Sequence, residues 1–248
     1  MRAYVCFDDT DTLDCGRGTG KLARWFEDEL PEGCTMWGVL RQQLLVDPAI
    51  PYTSHNSSAC AVVDIASREI AEKLIARAAA HIERHAVEGS DPGLCVAVDE
   101  DGSLAPLVEF GRLAATSVTT QSAAIEAAKG VHLSGHGGTN DGIIGAAAGV
   151  GLTAAGWSGR FIEYGRIRDY PDQVPIAKLQ AAGIQILPLD RDGGAPRPTD
   201  VLDSEGWLRP RLWGAHPAVP VVFVEDGLWR AVSPRKKRAE PGHGAARG

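Results

Sequence analysis

The chain has 248 residues, 44% hydrophobic and 23% charged, with a net charge of −7 at neutral pH. This suits one large or two small soluble domains with real cores, and no apolar run approaches the roughly 18 residues of a membrane-spanning helix. Residues 234–248, PRKKRAEPGHGAARG, carry five basic residues and one acidic one, so the remaining body sits near −11 and is a poor surface for non-specific nucleic-acid binding.

In chain order, RAYVCF (2–7) reads as a buried strand, and its direct start without a leader-like layout gives a cytoplasmic expectation. Leu22, Trp25, Phe26 and Leu30 recur at helical spacing and predict a helix over 19–30. CTMWGVLRQQLLVD and SSACAVVDIA are strand-like, separated by the proline-marked loop DPAIPYTSHN. Ser67 is placed to cap a helix reaching about His85, with Ile70, Leu74, Ala78 and Ile82 as its inner stripe. GLCVAVDEDG reads as a strand, and helices are expected over about 106–117 and 121–128.

GVHLSGHGGTNDGIIGAAAGVGL is dense in glycine, and its second half, from about Asp141, predicts a tightly packed helix. RFIEYGRI and IQILPLD read as strands flanking the short helix IAKLQAAG. The end, WLRPRLWGAHPAVPVVFVEDGLWRAV, suggests short strands joined by proline and glycine turns. Strands and helices alternate without strict parallel crossovers, which favours a mixed-sheet α/β or α+β protein. The tail 234–248 has a disordered composition.

Asp8, Asp9 and Asp11 fall within four positions at the end of the first strand. Clustered carboxylates raise one another's pKa, and a divalent cation removes that cost. Mg²⁺ is typically held by one or two carboxylates, with water and substrate phosphates completing its shell. The alternative is a polar turn that meets solvent.

The following GRGTGK is not a P-loop, because Cys15 stands where the first glycine belongs and Leu22 where the hydroxyl should be. It still has the parts of a phosphate cradle in Gly16, Gly18, Gly20 and the Thr19 hydroxyl, with Lys21 as a phosphate contact or a solvated helix residue. In SGHGGTNDG, Gly137, Gly138, Thr139, Asn140 and Asp141 suit phosphate or ribose, or else form a turn permitting close helix packing. His55 and Asn56 lie in the polar loop and are candidates to face an acceptor.

Other constellations are thinner. His132 and His136 are four apart, but the glycine between them argues against a shared helical face for zinc. His216 sits in a turn and reads as structural. The five cysteines contain no pair separated by two residues, which excludes zinc ribbons and thioredoxin-like motifs and suggests reduced thiols.

Together, VCFDDTDT followed by Cys15 and Thr19, DPAIPYTSHN, GIIGAAAGVG and TDVLDSEGWLRPRLWGAHPAVPVVF resemble the N-terminal part of the archaeal agmatidine synthetases, which modify the wobble cytidine of an isoleucine tRNA. The resemblance spans about residues 1–228. It implies an ATP-binding kinase-like region over 1–160, to which 57–105 may or may not belong, and a ferredoxin-like companion over 161–233. It also implies that Asp8, Asp9 and Asp11 are the catalytic ligands of ATP and Mg²⁺, and Thr19 a phosphoacceptor.

Cys95 is the last cysteine, the family's oligonucleotide-binding barrel and zinc ribbon have no counterpart, and TSHN stands in place of an arginine-containing loop. The expected function is therefore an ATP- and Mg²⁺-dependent phosphotransferase or ligase acting on an acceptor, with a small molecule favoured over tRNA, and RNA kept as the other option. The alternative is a nucleotide sensor or an accessory subunit working with a protein partner.

Overall fold

The computed structural model describes residues 1–13, 15–50, 56–100, 103–190 and 194–232. Its backbone is a mixed sheet flanked by helices on both faces. In the first half, β1 (Arg2–Asp8) lies between β3 (Ser57–Ile65) and β4 (Gly93–Val98), antiparallel to both. β2 (Cys34–Gln43) pairs with β3, and β5 (His132–Gly135) closes the edge beyond β4. On its other side β2 meets β6 (Arg160–Glu163), which pairs with β10 (Arg211–Trp213). The sheet then continues through β11 (His216–Glu225), β12 (Leu228–Ala231), β9 (Val201–Asp203) and β7 (Gln173–Pro175). Among the described residues, only β11 with β8 (Gln185–Pro188) and β12 with β9 run parallel.

Alternation along β1 divides the core in two. Ala3, Val5 and Phe7 face one cluster, which includes Leu22, Phe26, Leu74, Ala78 and Ile82 from α1 (Thr19–Trp25), the turn after it and α2 (Ala71–His85). Tyr4 and Cys6 face the other, where α3 (Ala105–Ala114), α4 (Gln121–Ala127) and α5 (Gly142–Ala155) pack. This period of two is what a strand covered on both faces requires. The short α6 (Ile176–Ala181) buries Ile176 and Leu179 in this second core, beside the later strands.

Most expected elements are present, with local differences. The helix from Thr19 gives way to a 3₁₀ turn over Phe26–Glu29. Ser67 precedes the helical segment in extended geometry, but its side chain makes no capping bond and a 3₁₀ turn intervenes before α2. Of the anticipated stripe, Leu74, Ala78 and Ile82 are buried while Ile70 is half-buried, and the fourth buried side chain is His81. Strands β5 and β7 are too short to show a pattern in the sequence. The basic tail lies outside the described residues, as does His55. No described helix is long and apolar enough to cross a membrane.

Candidate functional site

The alternation that sends Tyr4 and Cys6 toward α5 sends Asp8 there as well. Helix α5 comes close because of its glycines. A Cβ at Gly145 would lie 1.9 Å from the Asp8 carboxylate, and one at Gly149 would lie 2.3 Å from Cys6 Sγ. At the head of the helix, a Cβ on Gly142 would sit 2.1 Å from the Asp91 carbonyl. GIIGAAAG therefore has a packing role: it lets a helix N-terminal half rest directly on the acid-bearing end of β1.

Beyond Asp8 the chain turns through Asp9, which adopts a left-handed φ of 47°. Burial, then Asp9 and Asp11, push Asp8 up to about 8, although it keeps some solvent access. Burial, followed by Asp91, Asp11 and Asp141, pushes Asp9 up to about 6. Five carboxylates from three segments thus converge. Among the described residues, no lysine or arginine forms an ion pair with Asp8, Asp9, Asp91 or Asp141. One buried oxygen of Asp91, Oδ1, has no hydrogen-bond partner among the described residues. A carboxylate group so arranged favours a proton or a cation.

Thr19 is joined to this cluster. Its hydroxyl donates to Asp11 Oδ1 at 3.1 Å and accepts from the Thr10 amide at 3.3 Å and the Thr10 hydroxyl at 3.1 Å. The buried Thr19 thereby fixes the return of the loop onto the strand end. The loop glycines play different parts. Gly16 is exposed with φ of 67°, Gly18 points toward Asp11 Oδ2 at 3.9 Å, and Gly20 faces Ile162, which would lie 2.9 Å from a Cβ. Lys21 is exposed, with Nζ 5.1 Å from the centre of the Trp25 ring.

The second glycine-rich turn forms the adjacent wall. Thr139 donates through its amide (3.1 Å) and its hydroxyl to Asp91 Oδ2. Gly138, at φ of 61°, approaches the same side chain so closely that a Cβ would be 2.8 Å from its Cγ. Asn140 packs its amide against Gly135, and Gly137 sits against Pro92. Asp141 precedes α5 and accepts from Gln121 Nε2 at 2.6 Å. Asn56 is elsewhere occupied: its Nδ2 donates to the Leu45 carbonyl at 2.6 Å and helps close the loop between β2 and β3.

Two features were not read from the sequence. Asp91 is a lone acid before a strand, and only the pairing of β4 with β1, which sets Gly93 opposite Asp8, brings it to the cluster. His132, Ser134 and His136 lie on or just beyond β5 rather than a helix, and their side chains form a chain of hydrogen bonds at 2.9 and 2.8 Å that ends on Glu83. A surface recess of about 310 Å³, lined by Asp99, Leu104, Val108 and Arg112, is at the other end of β1 and holds none of the expected residues.

A mixed α/β sheet with clustered acids at a strand end, a threonine-bearing loop and a glycine-rich turn is a scaffold suited to a divalent cation and phosphate. Solved structures share the fold. The chain is similar to TiaS, an agmatidine synthetase of isoleucine tRNA, in its complex with that tRNA and ATP, at 27% identity and a TM-score of 0.51. It is likewise similar to the complex of TiaS with the same tRNA, AMPCPP and agmatine (27%, 0.50) and to a tRNA fluorescent labeling enzyme (27%, 0.51). Each match covers 61% of this chain, less than the resemblance in sequence suggested, and 36% of the other. The chain thus corresponds to about a third of those proteins. No protein-family model matches it, and no curated protein does.

Proposed function

We propose that the chain is an ATP- and Mg²⁺-dependent enzyme, a phosphotransferase or ligase that activates an acceptor. The observation that carries this reading is the convergence of Asp8, Asp9, Asp11, Asp91 and Asp141, with Asp8 and Asp9 held well above the ordinary carboxylate range. Mg²⁺ suits such a group because it is a hard cation that takes carboxylate oxygens and shares its remaining positions with phosphates. When bound, it would neutralise charge on a triphosphate. Asp8, Asp9 and Asp11 would hold it, and the exposed backbone at Gly16 and Gly18 would lie along the phosphates beside Lys21. Gly137, Gly138, Thr139 and Asn140 would form the opposite wall. His55 would face the acceptor, while Asn56, engaged with the Leu45 carbonyl, would hold the loop that carries it.

Thr19 would accept phosphate, and its hydroxyl proton already points at Asp11. The neighbours solved with ATP or AMPCPP support nucleotide use by this scaffold. We place the kinase-like part at 1–160 and the ferredoxin-like companion at 161–233; that boundary falls within β6, through which the sheet passes from β2 to β10.

The test is calorimetric and chemical. Mg²⁺–ATP should bind the wild-type chain and fail to bind Asp9→Asn, and γ-labelled ATP should leave label on Thr19. Nucleotide binding without turnover would turn the reading into a nucleotide sensor or an accessory subunit. No nucleotide binding with or without Mg²⁺ would remove it.

A small molecule is the simplest acceptor, but one observation favours RNA. Arg41, Arg160 and Arg211 lie directly opposite one another on β2, β6 and β10, on the face shared by Phe7. Like charges so placed destabilise a sheet, and no described carboxylate pairs with any of the three. Burial and the adjacent guanidinium hold Arg41 and Arg160 below their usual range. Strands about 4.8 Å apart space these charges as a row that a phosphodiester chain could follow. The row begins two strands from the acids, at the same end of the sheet.

A further inference from the structure

A second constellation lies apart from the carboxylates, where the turn after α1 meets the end of α2. His81 and His85 are four apart on α2 and so share a face. Both reach the same oxygen of Glu29: His81 Nδ1 at 3.1 Å and His85 Nε2 at 3.5 Å. The three ligand atoms all lie within 4.8 Å of one another.

The hydrogen-bond chemistry at His81 is what makes this more than a surface ion pair. The ring is fully buried, and its Nε2 is 3.0 Å from the Leu22 carbonyl. A carbonyl only accepts, so Nε2 carries the hydrogen and a neutral ring presents its lone pair at Nδ1. That lone pair faces a carboxylate oxygen, which also only accepts when ionised. Two acceptors 3.1 Å apart in a buried place need something positive between them. A backbone carbonyl that fixes the far nitrogen of a histidine is also the usual outer support of a metal-bound imidazole.

We propose that Glu29, His81 and His85 bind a zinc-class divalent ion. Two imidazoles and one carboxylate suit such an ion and suit Mg²⁺ poorly. Ligands about 2.0–2.1 Å from zinc sit roughly 3.3 Å from each other in a tetrahedron, close to the two shorter separations here. The His85 side chain is 28% exposed, so water can reach the ion and would complete its shell. Arg84 donates to the same Glu29 oxygen at 2.8 Å, but its side chain is 60% exposed and is free to swing into water when the ion enters.

The site is also tied to the loop of the candidate nucleotide site. Arg17 donates to the His85 carbonyl, and the Val87 amide donates to the Thr10 carbonyl at 3.0 Å. The ion would join the end of α2 to the segment after α1 and so brace the loop that carries Thr19.

The test uses the full chain, stripped with a chelator and titrated with ZnCl₂ without nucleotide. Zinc should bind at one site, and at about 100-fold excess over its dissociation constant should raise the melting temperature by roughly 5 °C or more. Co²⁺ in its place should give the intense visible absorption of a four-coordinate nitrogen–oxygen site. His85→Ala and Glu29→Gln should each weaken zinc by at least the ~10–100-fold that loss of an outer partner costs, and Asp8→Asn should leave it unchanged. Circular dichroism checks that the variants fold; should either fail, the wild-type Co²⁺ spectrum decides. Absence of zinc binding would mean that a proton bridges His81 and Glu29. Equal binding by both folded variants would place the ion elsewhere. Either result overturns the proposal.

Discussion

The acids at the end of β1 and the arginine row across β2, β6 and β10 are mirror images in charge. Each sets like charges side by side at the same end of one sheet, and none of these arginines, nor Asp8, Asp9, Asp91 or Asp141, has an ion-pair partner among the described residues. They differ in how they are built. Asp8 is partly buried beneath α5 and burial with neighbouring carboxylates raises the pKa of Asp8 and Asp9, whereas Arg160 is exposed and Arg41 and Arg211 are half-buried. A buried cluster pays for desolvation and suits a compact ion held in place; an open row suits an extended polyanion read mainly through its charge. The same end of the sheet is thus arranged for two ligands of opposite sign.

The largest expected effect breaks the acidic half. Asp8→Asn should weaken Mg²⁺–ATP by about 100-fold or more, because metal-based charge stabilisation is worth several kcal/mol; calorimetry checks it. Unchanged affinity would detach the acids from nucleotide. Next comes the glycine that admits Asp8. Gly145→Ala places a methyl group against that carboxylate, and should cost about 1–3 kcal/mol by overpacking, read as a lower melting temperature with weakened Mg²⁺–ATP.

The arginine half is tested by Arg160→Glu. RNA affinity should fall about tenfold, and the dependence of log affinity on log salt should lose about one unit per phosphate contact removed, while Mg²⁺–ATP affinity stays put. Equal RNA binding by variant and wild type at every salt concentration would retire the second reading.

The smallest effect is a pH dependence. Asp8 and Asp9 rise from an ordinary value of 3.8 to about 8 and about 6 in the folded chain. Between those limits the folded state holds protons that the unfolded state has lost, so stability without metal falls as pH rises from about 4 to 8. Mg²⁺ should oppose the fall, and Asp8→Asn should flatten it. Melting curves at several pH values, with and without Mg²⁺, measure this. A stability that instead rose steadily across the window would contradict the raised carboxylates.

What could be read beforehand follows from locality. Val5, Phe7 and their alternating neighbours mark β1, and DDTD with the GRGTGK loop marks its acidic end, because strand period and turn chemistry act over a few residues. Asp11 and Thr19 are also close in the chain, eight residues apart, and the structure joins them with one hydrogen bond. Asp91 was hidden because a single acid before a strand carries no pattern. The hydrogen-bonded chain of His132, Ser134 and His136 was hidden because four residues of β5 give no period to recognise.

The sequence by itself determined the alternation of elements, the two-sided burial of the central strands and the concentration of acids after the first of them. Only the tertiary structure decided that Asp91 joins those acids and that Arg41, Arg160 and Arg211 form a row. The reason is physical: charge and periodicity belong to neighbours along the chain, whereas register between strands distant in sequence is set when the whole sheet pairs and its two cores close.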